Sequence, residues 1–290
     1  MLNHISADGK GVVKEASSSR SVVPALSKAI SILNFLAEST GGKNLTEIAE
    51  AISSAKSTTS NLCRELEESR LIARVPEGYE LGRRTVELGG AYLSNYDQLR
   101  DFYSACSELP HMRHELVKVA VLDGTDVLYL ARHEGRAPLR LSASIGDRFP
   151  AASTAVGNAL LAELSTDEVE HRFSAADAFP AWTGLSTRNL EDLQGKLALV
   201  RERGYAVEDG AVLPGVHGIA VSLPSGRVGQ ASLGLGVSFV GATTDDETRH
   251  ALHDELLELR VRLVNPLQVL SNRASITRDG TGDVYPASSA

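Results

Sequence analysis

The sequence predicts an α+β chain of two domains, a small helical unit that ends in a hairpin and a larger domain built on an antiparallel sheet. Three observations lead to this prediction. Apolar residues recur at helical spacing in three successive segments between residues 25 and 69. The pattern then changes to that of two short strands around a turn. Beyond residue 110, predicted strands and helices are mixed along the chain.

The first three elements are predicted to be helices. The segment 25–38 carries its leucines and isoleucines on one side, and the glycines within 40–42 end it. A second, shorter helix is expected over 45–52, followed by a tight polar connection at 53–55. The third is expected over 56–69, where one side is apolar and the other carries short hydroxyl, amide and basic side chains.

A hairpin and a long helix are predicted next. Strands are expected over 71–75 and 79–82, joined by a turn signal at 76–78. Three helices followed by a small hairpin is the order of a winged helix-turn-helix, and this domain is assigned to residues 24–84. Residues 85–109 are predicted to form a linker helix.

The second domain is assigned to residues 110–271. Its first strands, 117–122 and 127–131, are joined by an Asp-Gly hairpin turn. The remaining predictions are strands over 139–144, 219–223 and 230–240 and helices over 154–164, 190–203 and 244–264. This mixture indicates an α+β domain with an antiparallel sheet. The polar ends of the chain, residues 1–23 and 272–290, are predicted to be disordered tails.

The composition excludes several classes of protein. A net charge of −8 at pH 7 argues against a histone-like nucleic-acid binder, but not against a regulator whose basic contacts are local. The two cysteines, Cys63 and Cys106, are too few for a disulfide scaffold and favour a reducing compartment. There is no run of about 18 apolar residues that would cross a membrane, and the polar N-terminus lacks the apolar core of a signal peptide. We therefore expect a cytoplasmic protein.

The third predicted helix has the surface chemistry of a DNA-binding helix. Short hydroxyl side chains and free amides near a helix N-terminus bind phosphate. Asn61 can pair with adenine, and Arg64 with guanine or phosphate. The candidate DNA contacts are Lys56, Ser57, Thr58, Ser60, Asn61 and Arg64. The alternative is a winged helix that binds protein, because eight Lys and Arg against nine Glu give residues 21–96 a net charge of −1.

Several segments resemble the IclR family of bacterial transcription regulators, in the order and spacing of that family. In the first domain the matching segments are Ala25–Ala29, Leu45–Ala49, Lys56–Thr59 and Tyr79–Gly82, the last of which matches the wing-ending Y-x-L-G. In the second they are Phe149–Ala162, similar to a segment ending G-K-A-L-L-A, Arg203–Asp209, similar to G-Y-x-x-D-D, and Gly215–Val221, similar to G-V-x-C-I-A-x-P. The resemblance covers most of the chain.

The resemblance implies a GAF-like effector domain whose small organic-acid ligand controls operator affinity. It also implies homodimers or homotetramers, the latter as dimers of dimers, on palindromic double-stranded DNA operators. Carried over by motif, the effector site would be lined by Leu141, Ala155, Val156, Glu208, Gly218, Gly234 and Gly236. Asn61 stands where the family often has Arg, and Gly218 where it often has Cys. Gly234 and Gly236 stand where the family often has small polar residues, commonly Ser.

The glycines bear on the size of the expected effector. Alternation along a strand places Gly234 and Gly236 on one sheet face. Losing Cys and Ser side chains would enlarge the pocket and make it less polar, which favours an aromatic or other bulky acid. The backbone amides of 155–157 open a helix and would hold the carboxylate. The alternative is that these glycines make room for neighbouring large side chains.

An enzyme that acts on a small molecule is the main alternative from another class. The sequence has no G-x-S-x-G, no P-loop and no G-x-G-x-x-G in a βαβ unit. His111 with His114, and His250 with His253, are spaced to share a metal, but neither pair has a clear third ligand. We therefore expect no enzymatic activity, no metal and no cofactor. Whether the chain represses or activates transcription is not decided by its sequence.

Overall fold

The structure is a computed structural model that describes residues 22–135, 143–224 and 231–264 of the 290-residue chain. The chain divides into two compact units, one ending at Asn95 and the other beginning at Tyr96. Helices dominate the first unit, and the second is organised around an antiparallel sheet, which confirms the predicted α+β class. Nearly all of both predicted tails lies outside the described residues.

The first unit consists of three helices, a two-stranded hairpin and a further helix. In chain order these are α1 (Pro24–Glu38), α2 (Leu45–Ala51), α3 (Lys56–Glu68), β1 (Ile72–Val75), β2 (Gly78–Leu81) and α4 (Arg84–Leu93). A capping box begins α2: the Asn44 side chain accepts from the Glu47 amide, and the Glu47 carboxylate accepts from the Asn44 amide. This order of elements is the predicted winged helix-turn-helix.

The hairpin packs back onto the helices at a glycine. Tyr79 is buried in the helical core, and its backbone pairs with that of Lys43, which precedes α2. Gly78 has a φ of 144°, and a Cβ there would lie 2.1 Å from the Lys43 carbonyl oxygen. A residue without a side chain is therefore required for the wing to approach this closely. The other buried residues of this core are Ile32, Leu36, Ile48, Cys63, Leu66 and Ile72.

The linker predicted as one helix over 85–109 is wrong, because the helix is interrupted. α4 ends at Leu93 and is followed by a 3-10 turn at Asp97–Leu99 and by α5 (Phe102–Glu108). α5 belongs to the second unit and buries Phe102 and Cys106 there. One straight solvated helix would leave these apolar groups in water, and burial favours the break.

The second unit is built on an antiparallel sheet flanked by helices. Its elements are β3 (Leu116–Asp123), β4 (Asp126–Glu134), β5 (Arg148–Pro150), α6 (Ala155–Leu161), α7 (Thr166–Arg172), α8 (Leu190–Arg203), β6 (Ala206–Asp209), β7 (Val216–Leu223), β8 (Leu233–Val240) and α9 (Asp246–Val264). The strand order is β5-β4-β3-β8-β7-β6, and all neighbours are antiparallel. The predicted antiparallel sheet is confirmed.

Cross-strand pairing assigns side chains to the two faces of this sheet, because directly paired residues point the same way. Lys118 on β3 pairs with Arg132 on β4 and with Gly236 on β8. The face that carries this row packs against α6. The opposite face packs against α9, where Arg249 lies over the ring of Phe239.

The bounds of several elements agree with the predictions, and α8 does so residue for residue. The sequence patterns do not predict β5, β6 or α7, which are only three to seven residues long. Of the strand predicted over 139–144, residues 139–142 lie outside the described residues, and the last two are not in a strand. Among the helices that the structure describes, none is long and apolar enough to cross a membrane.

Candidate functional site

The outer side of α3 carries every residue predicted to contact DNA. Lys56, Ser57, Thr58, Ser60, Asn61 and Arg64 are all exposed. On the other side of the helix, Thr59, Cys63 and Leu66 are buried in the core of the first unit. The predicted separation of polar and apolar sides is therefore present, while the DNA contacts themselves stay a prediction.

The N-terminus of α3 has backbone amides that no capping side chain satisfies. Its N-cap residue is Ala55, which has no acceptor on its side chain. The start of α2 differs, because Asn44 accepts from two amides there. Exposed N–H groups at the start of a helix can bind a phosphate group, and α3 is 13 residues long.

Two hydrogen bonds organise the surface around α3. Within the helix, the Arg64 guanidinium donates to the Asn61 side-chain oxygen at 3.3 Å, so these two side chains lie together. In the turn before the helix, Lys28 on α1 donates to the Ser54 hydroxyl at 3.0 Å. The neighbouring Ser53 has a φ of 48°, in the left-handed region. The turn thus has a defined conformation that sets the position of the α3 N-terminus.

The residues predicted to bind an effector lie on the sheet face that α6 covers. Ala155 and Val156 begin α6, and Glu208 on β6 pairs with Gly218 on β7. A Cβ on Gly218 would lie 3.5 Å from Ala155 Cβ and 3.5 Å from Glu208 Oε2, which are ordinary contacts. The structure therefore brings these predicted residues together. Leu141 lies outside the described residues.

The space expected above Gly234 and Gly236 is occupied by α6. A Cβ on Gly236 would lie 2.6 Å from Val156 Cγ1. A Cβ on Gly234 would lie 3.0 Å from the Val156 carbonyl oxygen and 3.1 Å from Leu160 Cδ1. The inference that these two glycines enlarge the cavity is therefore wrong, because their lack of side chains lets the helix approach the sheet. Their contact with an effector stays a prediction.

The start of α6 offers fewer free amides than expected. Thr154 Oγ1 accepts from the Gly157 amide at 3.1 Å, so that donor is already used. A Cβ on Gly157 would lie 2.2 Å from the Ala151 carbonyl oxygen, which shows how closely this turn is packed. The predicted carboxylate site is reduced to the amides of Ala155 and Val156, on a helix of seven residues.

Glu208 is a buried carboxylate that backbone amides partly satisfy. Its Oε1 accepts from the Val212 amide at 3.1 Å. Burial raises the pKa of Glu208, and the backbone hydrogen bonds and the positive charge of Lys118 oppose that rise. Its Oε2 faces Gly218. This second oxygen is placed to accept a hydrogen bond from a ligand.

Sequence reasoning missed a basic and aromatic group on the same sheet face. Lys118 Nζ lies 5.0 Å from the centroid of the Tyr129 ring. The Phe149 ring lies 5.1 Å from Tyr129 and 5.4 Å from Trp182. Arg132 is the cross-strand neighbour of Lys118. One signal could have found this group: Lys118 is the charged residue within 116–122, which is otherwise apolar.

A loop between α7 and α8 bounds the predicted effector site. The Ser186 hydroxyl donates to the Ala211 carbonyl at 2.7 Å, after β6. The Thr187 hydroxyl donates to the Ala152 carbonyl at 2.6 Å, before α6. These bonds tie the turn that holds Glu208 to the start of α6. Trp182 lies in the same loop and is 40% exposed, so it stands between the Tyr129 and Phe149 rings and solvent.

Two other places in the second unit bear on ligand or metal binding. His111 Nδ1 lies 2.7 Å from Glu255 Oε1, so this histidine has a protein partner. Within the described ranges, no three His, Cys, Asp or Glu side chains converge in a way that could hold a metal ion. A pocket of about 300 Å³ is lined by Ala159, Ala162, Glu163, Val200, Arg201, Gly204 and Ser222. None of these is a predicted effector residue.

Two family models match the chain. The model described as "Bacterial transcriptional regulator IclR C-terminal" matches residues 90–260. The model described as "IclR helix-turn-helix domain" matches residues 25–76. The matches fall on both units of the structure, and the first alone covers more than half of the chain.

Curated relatives with similar sequences are transcription regulators. The HTH-type transcriptional regulator KdgR of Dickeya chrysanthemi is 28% identical over 208 residues, which are 71% of this chain and 68% of that protein. The transcriptional repressor IclR of Escherichia coli (strain K12) is 27% identical over 191 residues, which are 64% of this chain and 69% of that protein.

Solved structures share the fold. The IclR transcriptional regulator from Alicyclobacillus acidocaldarius matches with a TM-score of 0.69 at 23% identity, over 83% of this chain and 98% of that chain. An IclR homologue from Microbacterium hydrocarbonoxydans, solved in complex with 4-hydroxybenzoate, matches with a TM-score of 0.70 at 20% identity, over 82% and 98%. At these identities the likeness shows the fold alone.

Proposed function

The chain belongs to the IclR family of bacterial transcriptional regulators, and on that premise we propose that a small organic acid controls its affinity for a DNA operator. The observation that carries the proposal is a pair of sites in one chain. The first unit exposes a helix with free N-terminal amides and polar side chains. The second encloses a charged and aromatic site under α6.

The proposed DNA surface is the outer side of α3. Lys56, Ser57 and Thr58 lie in its first turn, where the side chains and free amides can bind phosphate groups. Asn61 and Arg64 follow one turn later and would enter the major groove. Ser60 lies beside them on the exposed side. These local contacts explain how a segment without net positive charge can bind DNA.

The proposed effector is a small organic acid, and an aromatic acid fits the site best. The Tyr129, Phe149 and Trp182 rings lie in series beside the buried charges of the sheet face. Aromatic side chains of this kind stack on planar ligands. The complex of the Microbacterium homologue with 4-hydroxybenzoate adds support. The proposed polar contacts are at Glu208 and Gly218, next to the start of α6.

We propose that the chain assembles through the apolar surfaces of α1 and α4. Leu26 and Ile30 on α1 are 58% and 49% exposed. Within α4, all of which the structure describes, no residue is buried, and Val86 and Tyr92 are exposed. A second copy can cover such surfaces. A homodimer or dimer of dimers would present paired copies of α3 to the half-sites of a palindromic operator.

Sedimentation equilibrium of the full chain at micromolar concentration tests this assembly, and we expect a dimer or tetramer. The double variant Leu26→Asp, Ile30→Asp should dissociate it, because the interface would have to bury two charges. Leu199→Asp on α8, where the native leucine is 54% exposed, is the matched control and should leave the assembly intact. A monomeric wild-type protein, or equal dissociation by the control, would contradict the proposed surfaces.

Two other functions have weaker support. A winged helix that binds only protein has no use for free amides at the start of α3, which instead favour phosphate. The family consists of transcription regulators, so we propose no enzymatic activity, metal or cofactor for this chain. Because a regulator of this kind works where the bacterial chromosome is, we propose that the chain is cytoplasmic.

A gel-shift titration with the DNA upstream of the chain's own gene tests the proposal as a whole. We expect binding that resists an excess of unrelated DNA, and a change in the half-saturating protein concentration when the correct acid is added. Transcription in vitro on the same DNA then distinguishes a repressor from an activator. Binding that unrelated DNA abolishes would contradict the operator proposal, and affinity indifferent to every carboxylate tested would contradict effector control.

A further inference from the structure

The sheet face under α6 carries two neighbouring cations. Lys118 on β3 and Arg132 on β4 are direct cross-strand partners, so their side chains share a face. Like charges in this relation destabilise a sheet. Gly236, the other neighbour of Lys118, has no side chain, and Val156 of α6 covers it. The two cations therefore border the predicted effector site.

The Lys118 ammonium has no anionic partner in the part of the chain that the structure describes. Its Nζ forms no hydrogen bond or ion pair there, and it lies over the face of the Tyr129 ring. Burial lowers the pKa of Lys118 to about 8, the positive charge of Arg132 adds to this shift, and Glu208 opposes it. The Lys118 side chain is half-buried, and an unpaired ammonium that is partly withdrawn from water lowers the stability of a fold. A lysine at this position on the sheet therefore calls for a functional explanation.

Arg132 is only partly satisfied. Its guanidinium lies 2.8 Å from Glu134 Oε1. Its Nε is buried and has no acceptor among the described residues. A free ammonium and a free guanidinium N–H thus belong to neighbouring positions on one sheet face. An anion between them would satisfy both, because charge-assisted hydrogen bonds are the strong ones.

Glu208 is not the anion that pairs with Lys118 and Arg132 within the protein. It influences Lys118 through its charge, but the two side chains form no ion pair. One oxygen of Glu208 already accepts from the Val212 amide, and the other faces Gly218. Since the protein's own nearby carboxylate is engaged elsewhere, the missing anion is best supplied by a bound molecule.

We propose that Lys118, assisted by Arg132, is the anion receptor of the effector site and binds the carboxylate of the effector. The ring or carbon chain of the ligand would then lie against Tyr129 and Phe149. The proposal rests on the proposed control by an organic acid. It moves the charged end of the ligand from the start of α6, where the Gly157 amide is already used, to the middle of the sheet.

Isothermal titration calorimetry on the full chain at pH 7 tests the receptor. The probes are 4-hydroxybenzoate, benzoate, pyruvate and succinate, each compared with its neutral amide. We expect at least one carboxylate to bind, and its amide to bind about 30-fold more weakly, because a hydrogen bond to a charged group is lost. Lys118→Met should weaken the same carboxylate by a similar factor, since methionine keeps the length of lysine without its charge.

Arg113→Met, just before β3, is the matched control. It also exchanges a cation for methionine in the second unit, but Arg113 is exposed and does not lie on the sheet face under α6. Carboxylate binding to this variant should change by less than about threefold, which is within the range of surface substitutions. A loss equal to that in Lys118→Met would show that neutralising any cation of this unit weakens binding, and it would contradict the receptor.

The pH profile separates a charged receptor from a structural lysine. The Lys118 ammonium loses its proton as the pH rises above about 8, and the carboxylate binds only the protonated form. Affinity should therefore be nearly constant below this pH and fall towards about tenfold per pH unit above it. The charged groups that face Lys118 are Glu208, a carboxyl whose pKa is raised by burial, and Arg132. Lys118→Arg stays charged and should bind without this decline.

Each outcome bears on a different statement. Equal carboxylate binding by wild type and Lys118→Met, or a wild-type affinity that stays constant up to pH 10, overturns the anion receptor and leaves organic-acid control standing. No binding of any carboxylate at millimolar concentration overturns organic-acid control and the receptor with it. Thermal unfolding shows whether Lys118→Met folds, and we expect an equal or higher Tm because a buried charge is removed. If that variant is unfolded, the wild-type and Lys118→Arg pH profiles decide.

Discussion

The two candidate sites place their polar groups in opposite environments. The side chains of α3 that are proposed to contact DNA lie in water, whereas Lys118 and Glu208 lie on a sheet face under a helix. Exposed charges interact weakly and are screened by salt. Buried charges interact strongly with their neighbours, and their pKa values shift. We therefore expect operator binding to respond mainly to salt and effector binding mainly to pH.

Glycines show a second difference between the two units. Gly78 in the wing lies against the backbone of Lys43, whereas Gly234 in the sheet lies partly against the side chain of Leu160. A backbone segment in a paired bridge has little room to move, while a side chain can change its rotamer. Substitutions should therefore have their largest effect in the small unit, despite its small core.

Gly78→Ala tests this ranking and should have the largest effect. The alanine would combine a positive φ with a Cβ 2.1 Å from the Lys43 carbonyl oxygen. We expect the first unit to lose about 4 kcal/mol of unfolding free energy, the sum of backbone strain and overpacking. Hydrogen exchange followed by mass spectrometry, which resolves the two units, should show faster exchange over α1 to β2 and unchanged exchange over the sheet. Operator binding should be lost.

Gly89→Ala is the control for that measurement. Gly89 lies within α4, and a Cβ there would meet nothing within 4 Å. Alanine should therefore stabilise the helix by up to about 1 kcal/mol. If Gly78→Ala exchanged as slowly as Gly89→Ala, the close approach between the wing and Lys43 would be wrong.

Gly234→Leu should have the next largest effect, on the second unit. Its Cβ would lie 3.0 Å from the Val156 carbonyl oxygen and 3.1 Å from Leu160, and the rest of the side chain would push α6 from the sheet. We expect a loss of about 3 kcal/mol of unfolding free energy. Denaturant unfolding followed by the fluorescence of Trp182, the single tryptophan, measures it. Unfolding at the wild-type midpoint would show open space above Gly234, as the sequence predicts.

Gly218→Ala separates ligand binding from packing on the same sheet. Its added Cβ would make ordinary 3.5 Å contacts with Ala155 and Glu208, so the unfolding free energy should change by less than about 1 kcal/mol. The methyl group would nevertheless occupy space next to Glu208 Oε2, and acid binding should weaken. Acid binding that weakens in Gly234→Leu but not in Gly218→Ala would place the ligand nearer to Gly234.

The contrast between the sites also explains what the sequence could predict. The surface of α3 lies within one helix, so a spacing of three and four residues separates its exposed Asn61 and Arg64 from buried Cys63. The sheet site is assembled from the β3–β4 hairpin and from β6 and β8, which lie much later in the sequence. The predicted hairpin turn alone would place Ala131 opposite Lys118, but a β-bulge between Val119 and Ala120 shifts the register and brings Arg132 there, and no local period reports that bulge.

Tertiary packing also decides the features that were predicted wrongly. The residues after Leu93 have helical patterning, but α5 turns aside to bury Phe102 in the second unit. The two glycines of β8 have two physical uses that a sequence cannot distinguish, and the position of Val156 selects the close approach of α6. The local sequence pattern is enough to predict that a helix forms. Whether a cavity is open or filled depends on which elements pack together, and the local pattern does not report that.

Arg64→Ala should have the smallest effect, and it tests the exposed side of the comparison. Arg64 lies beside Asn61 in water, so its removal should leave the unfolding free energy nearly unchanged. If the guanidinium contacts a base, operator binding should weaken by about 1–3 kcal/mol, while binding to unrelated DNA changes less. Loss of a phosphate contact would weaken binding to the operator and to unrelated DNA alike, and it would lower the slope of log affinity against log salt by about 1.

Arg113→Ala in the second unit removes the same charge from an exposed site and should change neither the operator affinity nor this slope. Titrations at several salt concentrations distinguish these cases, and operator affinity that Arg64→Ala leaves unchanged at every salt concentration would remove Arg64 from the DNA surface.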